Sequence, residues 1–146
     1  MSDQLIIEQA LSILETRLHK PECIFSKPDD TSAFLTLSFN GLEYESFRVL
    51  LLDSQNGLIK LKELFRGTID GAAVYPREVV KAAIQFNAAA VIFAHNHPSG
   101  VSEPSSADRR ITERLVAALG LIDVRVLDHI VVGGTDTYSF AQHGLL

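Results

Sequence analysis

The sequence predicts an α/β fold, a mixed β-sheet with helices packed on its faces. Three observations predict it. Residues 89–94 form a short continuous apolar run, the texture of a central strand covered on both sides. Apolar residues recur at helical spacing in several other stretches. Turn signals such as Asn56-Gly57 and Gly133-Gly134 separate strand-like segments.

Each element follows in order. Residues 3–19 place Leu5, Ile7, Leu11, Leu14 and Leu18 on one helical stripe, with Ser2 as N-cap and Lys20-Pro21 as the stop. A second helix is expected from Asp29-Asp30, carrying Ala33, Phe34 and Leu37. Residues 45–52 read as a strand that becomes fully buried. Residues 53–57 turn the chain, because Asn-Gly tolerates positive φ cheaply, and residues 58–65 return as the antiparallel partner. An extended piece leads to Tyr75. Pro76 then opens a helix whose stripe is Val79, Ala82, Ala83 and Phe86. After the central strand comes His95-Asn96-His97-Pro98-Ser99-Gly100 and a loop to Pro104. Ser105 starts a helix carrying Ile111, Leu115, Ala118 and Leu119, with Gly120 expected to stop it. Residues 124–127 and 130–132 are two further pieces of strand, and residues 137–140 form a last one.

Composition narrows the class. A chain of 146 residues fits one core, and its 47% hydrophobic and 21% charged residues are ordinary for a globular protein. No apolar run is long enough to span a bilayer, and the start lacks the basic region of a signal peptide. Cys23 stands alone, so neither a disulfide framework nor a cysteine-rich zinc cluster can form. Its simplest role is that of a small buried hydrophobe. A cytoplasmic protein is expected. A net charge of −5 gives little support to DNA binding, which usually leaves a basic footprint. Arg109, Arg110 and Arg114 share one helix and read first as a solvated face.

The chemistry lies after the central strand. Two histidines at i and i+2 can point the same way from extended backbone. Two converging imidazoles suit zinc better than a hard cation. Asp108, in the first turn of the next helix, could supply a third ligand and leave one position open for water, as catalytic sites do. A lone His-x-His pair, however, often occurs by chance. Ser105 and Asp108 also fit a capping box, Ser105 as N-cap and Asp108 at N3. Spacing alone does not choose between ligand and cap.

The string His95-Asn96-His97-Pro98-Ser99-Gly100, followed by Pro104-Ser105-Ser106-Ala107-Asp108, resembles the His-x-His-x7-Ser-x2-Asp signature of the JAB/MPN+ (JAMM) metalloproteases. Asn96 and the Pro-Ser-Gly that follows resemble the RadC branch. So do Glu45-Ser46-Phe47, Tyr75-Pro76-Arg77-Glu78 and Leu127-Asp128-His129. The resemblance runs from about Ile24 to the C-terminus, which leaves residues 1–23 as an N-terminal helix packed on a domain of residues 24–146.

That resemblance implies the JAB/MPN fold, a curved mixed sheet flanked by helices and similar to cytidine deaminases. It implies one zinc ion held by His95, His97 and Asp108. Ser105 would stabilise a tetrahedral intermediate, and Glu45 would be the general acid/base, with Glu43 as the fallback at the same strand parity. The activity implied is hydrolysis of peptide or isopeptide bonds in an unidentified peptide or protein substrate. His129 is a candidate to orient a ligand, with a purely structural role as the alternative. Arg77 is a candidate for a substrate carboxylate, with a surface contact as its alternative, and His19 and His143 carry no role. The competing functions are a DNA-associated repair or recombination protein and a non-catalytic interaction module. Typical RadC proteins carry an N-terminal helix-hairpin-helix region, for which the two dozen residues preceding the RadC-like part are too few. An oligomer is compatible with all of these.

Overall fold

The structure is a computed structural model that describes residues 2–18, 28–67 and 74–146. Among the described residues the elements are α1 (Asp3–Leu18), α2 (Pro28–Ser38), β1 (Ser46–Leu52), β2 (Leu58–Arg66), α3 (Pro76–Gln85), β3 (Ala90–Asn96), α4 (Ser106–Gly120), β4 (Arg125–Gly133) and β5 (Asp136–Ser139). The stop at Lys20-Pro21, His19 and Cys23 lie outside the described residues.

The five strands form one sheet in the order β2-β1-β3-β4-β5. Only β3 and β4 run parallel, joined by α4 as the crossover; the other pairs are antiparallel. The sheet is mixed and flanked by helices, as the sequence predicts.

Alternation along the strands divides the core between two faces. Leu50, Leu52, Ala90, Ile92, Ala94, Ile130 and Val132 pack against Phe34, Leu35 and Phe39 of α2 and its C-terminal end, with Leu11 and Leu14 of α1 at the margin. Phe47, Val49, Leu51, Val91 and Phe93 face Val79, Ala82 and Ala83 of α3 and Ile111, Leu115 and Leu119 of α4. Every residue of β3 is buried, which explains its unbroken apolar run.

Several boundaries differ from the sequence reading. Strand β3 extends through His95 and Asn96, because both pair with β4 and the His97 N–H continues the ladder to the Val132 carbonyl at 2.9 Å. The two expected pieces after α4 are one strand, β4, running unbroken through Asp128 and His129. Gly120 is the last residue of α4, but the left-handed position lies three residues later, at Asp123 with φ 58°. In α2 Thr31, Phe34 and Leu35 are buried, while Ala33 is exposed. The turn after β1 forms as read. Asn56 adopts φ 65°, and Asp53 accepts the N–H groups of Gln55 and Gly57 at 2.9 and 2.8 Å. Ser2 accepts the Leu5 N–H at 3.2 Å and caps α1.

Candidate metal centre

The topology brings three ends together: the carboxyl end of β3, the amino end of β1 and the N-terminus of α4. Sites in open α/β sheets commonly form outside the carboxyl ends of strands. His95, the last odd-numbered residue of β3, faces α4, and His97 follows on the same side. The loop after β3 then returns the chain so that α4 starts beside them.

Asp108 lies at N3 of that helix, and the capping box is complete. Ser105 Oγ accepts the Asp108 N–H at 3.0 Å, and Asp108 Oδ2 accepts the Ser105 N–H at 2.8 Å. The cap also delivers the carboxylate to the histidines, so cap and ligand are not alternatives. Asp108 Oδ2 lies 3.3 Å from His95 Nε2 and 3.2 Å from His97 Nε2, and the two nitrogens are 3.1 Å apart. His95 and Asp108 are fully buried, and the His97 side chain is 14% exposed.

Hydrogen bonds cannot close this triangle. An imidazole nitrogen carries at most one proton, and a proton aimed at one corner points away from the other. A cation satisfies all three corners at once. A tetrahedron with metal–ligand bonds of about 2.0–2.1 Å has edges of about 3.3–3.4 Å, close to the observed spacing. The other carboxylate oxygen, Asp108 Oδ1, is buried without a hydrogen-bond partner among the described residues. The donor set therefore fits a zinc-like divalent ion, and these three residues are the group that could hold one among the described residues.

Charge follows the same geometry. Burial opposes ionisation of Asp108, but the histidine contacts and the Ser105 N–H outweigh it and hold the carboxyl far below its ordinary range. Contact with Asp108 raises His97 above an ordinary imidazole, against its burial; the Val101 carbonyl and the charge of Glu45 add to the rise. Burial pushes His129 well below the ordinary value, with the charge of His95 acting in the same direction.

The surrounding residues orient these groups. His97 Nδ1 lies 2.8 Å from the Val101 carbonyl, which can only accept, so Nδ1 carries a proton and donates. His95 Nδ1 meets His129 Nε2 at 2.7 Å, and His129 Nδ1 meets Thr112 Oγ1 at 2.6 Å. The His129 ring stacks on Phe140 at 4.6 Å and meets Phe47 and Phe93 edge-on.

Glu45 stands immediately before β1 and is half-buried. Phe47 pairs with His95 at the end of the β1–β3 ladder, and Glu45 precedes Phe47 by two residues with the same strand parity. Its charge reaches His97, as the shift there shows. Glu43 shares the parity but is exposed. Ser105 Oγ accepts from the helix, which leaves its hydroxyl proton to donate elsewhere. Arg77 is exposed in the first turn of α3 and forms no hydrogen bond or ion pair with the cluster residues. His143 stacks on Tyr138 at 3.9 Å, at the C-terminal turn. Arg109, Arg110 and Arg114 are exposed on α4.

Sequence reasoning missed Thr112 and the Val101 carbonyl. Thr112 had a detectable signal, since it follows Asp108 by one helical turn and shares its face. A backbone carbonyl leaves no trace in residue identity.

Fold and site together define a mixed α/β domain with a candidate two-histidine, one-carboxylate metal centre between β3 and its crossover helix. Residues 25–145 match the model of the RadC-like JAB domain, and the chain belongs to that family. A UPF0758 protein of Vibrio cholerae serotype O1 is 57% identical over 141 residues, covering 97% of this chain and 88% of that protein. UPF0758 protein YeeS of Escherichia coli K12 is 54% identical over 144 residues, covering 99% of this chain and 97% of its own. UPF0758 protein PSHAa2643 of Pseudoalteromonas translucida is 54% identical over 143 residues, which are 98% of this chain and 63% of that protein. None of these names specifies a reaction. No helix among the described residues is long and apolar enough to cross a membrane.

Proposed function

We propose that this protein is a zinc-dependent hydrolase of the JAMM type, acting on peptide or isopeptide amide bonds. The observation that carries the proposal is the triangle of His95 Nε2, His97 Nε2 and Asp108 Oδ2, with edges of 3.1 to 3.3 Å. Three protein ligands leave a fourth position open, the mark of a catalytic site as opposed to a structural one. Zinc, when bound, supplies Lewis acidity and lowers the pKa of water from 15.7 to about 7.

The chain's own residues complete the chemistry. Glu45 takes a proton from the attacking water as the new C–O bond forms. It returns that proton to the nitrogen as the C–N bond breaks, so the products are a carboxylic acid and an amine. Ser105 donates its hydroxyl proton to the carbonyl oxygen as negative charge gathers there. The buried, low-dielectric side of the site strengthens both interactions. A peptide or protein is the proposed substrate, and the cytoplasm is the proposed setting for a chain with a single cysteine.

Glu45→Gln tests the mechanism against peptide-library and lysine-isopeptide substrates. The expected result is full zinc content with hydrolysis lost; hydrolysis retained at the wild-type rate rejects Glu45 as the base. Elemental analysis of tag-free protein tests the site itself. The expectation is about one zinc per chain in wild type and none in His97→Ala.

A further inference from the structure

We propose that Thr112 is a positioning residue that sets the proton placement of His129 and, through it, of His95, so that His95 turns a bare Nε2 lone pair to the metal. The inference rests on the zinc reading above for its purpose, though not for its geometry.

The argument starts from one hydroxyl proton. Thr112 Oγ1 lies 2.7 Å from the Asp108 carbonyl oxygen and 2.6 Å from His129 Nδ1, and all of these groups are buried. A carbonyl oxygen only accepts, so the hydroxyl proton points to Asp108. Only one arrangement makes the second contact a hydrogen bond as well: His129 carries its proton on Nδ1 and donates it to Thr112.

His129 is fully buried among Phe47, Phe93 and Phe140, where an imidazolium is costly. The neutral ring then has a bare Nε2, which accepts across the 2.7 Å contact from His95 Nδ1–H. With its proton on Nδ1, the neutral form of His95 has its bare nitrogen at Nε2, which faces His97 and Asp108. The other histidine reaches the same state independently, through Nδ1–H to the Val101 carbonyl. Both rings therefore turn lone pairs inward, as metal ligands must.

The chain is also anchored to the ligand it serves. The carbonyl that orients the Thr112 hydroxyl belongs to Asp108, and α4 holds Thr112 one turn beyond that residue. One helix thus supplies a proposed ligand directly and sets the proton of a second through two intermediaries. Outer partners of this kind typically matter by about 10–100-fold in metal affinity.

The test is long-range proton–nitrogen NMR on metal-free, histidine-labelled protein near pH 8, beside zinc affinity by chelator competition. In wild type, His95 and His129 should both show the Nδ1–H form. Thr112→Ser should preserve both tautomers and zinc affinity within a few-fold. Thr112→Val should lose the Nδ1–H preference at His129 and weaken zinc about 10–100-fold. His95 in the Nε2–H form in wild type overturns the proposal without recourse to any variant. Unchanged tautomers and unchanged affinity in Thr112→Val overturn it as well. Wild type with the expected tautomers but no zinc uptake supports the proton chain and rejects the zinc reading, so the two failures are distinguishable.

Discussion

The side-chain oxygen of Asn96 accepts the backbone N–H of Ser46 at 2.7 Å. Its amide nitrogen donates to the carbonyl of Tyr44 at 3.1 Å. The two contacts bracket Glu45, so the residue between the histidines holds the backbone on both sides of the proposed general base. Because strand residues alternate, Asn96 does this from the opposite face of β3 to His95. Truncation in Asn96→Ala leaves a buried N–H without its acceptor, a loss of about 1–3 kcal/mol in urea unfolding. Zinc affinity should stay near wild type, since no ligand moves, while hydrolysis falls as Glu45 loses its position. A variant as stable as wild type would show that the bracket contributes nothing.

Gly133 permits the close approach that orients His97. A Cβ there would meet Ser102 N at 2.5 Å, the Val101 carbonyl carbon at 2.6 Å and Gly100 O at 2.8 Å. All three are backbone atoms, so no side chain can swing aside. In Gly133→Ala the loop must lift and carry away the carbonyl that accepts from His97 Nδ1. Zinc affinity should fall about 10-fold or more, by chelator competition, while circular dichroism remains native. Wild-type affinity in Gly133→Ala would mean that the Val101 contact does not orient the ligand.

The fold was legible wherever apolar pattern and turn chemistry agreed, and less so wherever buried polar groups entered an element. Residues 89–94 announced β3 through burial on both faces. Pattern alone divides strand β4 into two pieces, because Asp128 and His129 interrupt its apolar run. Their partners come from elsewhere in the chain: Asp128 accepts from Ser139 Oγ, the Ala141 N–H and its neighbour's N–H, and His129 meets Thr112. Such polar satisfaction is tertiary and invisible to periodicity. The candidate triangle was legible because its members lie within one strand–loop–helix excursion. The placement of Glu45 needed the β1–β3 register, which no local pattern carries.

The metal-free protein should be most stable near pH 6.5. The raised His97 value adds stability that is complete below its ordinary value of about 6.5 and is lost as pH rises through the folded value. The depressed His129 value acts on the other side. Its contribution is complete above about 6.5 and declines as pH falls. The depressed Asp108 value adds stability present above about 3.9 and lost in stronger acid. Melting temperature against pH in EDTA checks this. His97→Gln should flatten the alkaline limb; an unchanged alkaline limb would remove His97 as its cause.

Asp108 has two duties that a pair of substitutions can separate. As N3 of the capping box it accepts the Ser105 N–H, a task that needs only an oxygen. As a proposed ligand it must also bring negative charge to two imidazoles. Asp108→Asn can keep an amide oxygen at the cap but has no charge to give. It should retain α4 and its near-native far-ultraviolet spectrum, yet lose zinc. Asp108→Ala removes both functions, so it should lose zinc and a further ~0.5–1.5 kcal/mol of stability relative to Asp108→Asn, the net worth of one hydrogen bond. The comparison belongs in EDTA for stability and in metal-buffered solution for zinc, because bound zinc itself stabilises the folded state by mass action. Undiminished zinc affinity in Asp108→Asn would reduce Asp108 to a cap, and the two histidines alone would then be too few for a three-ligand catalytic centre.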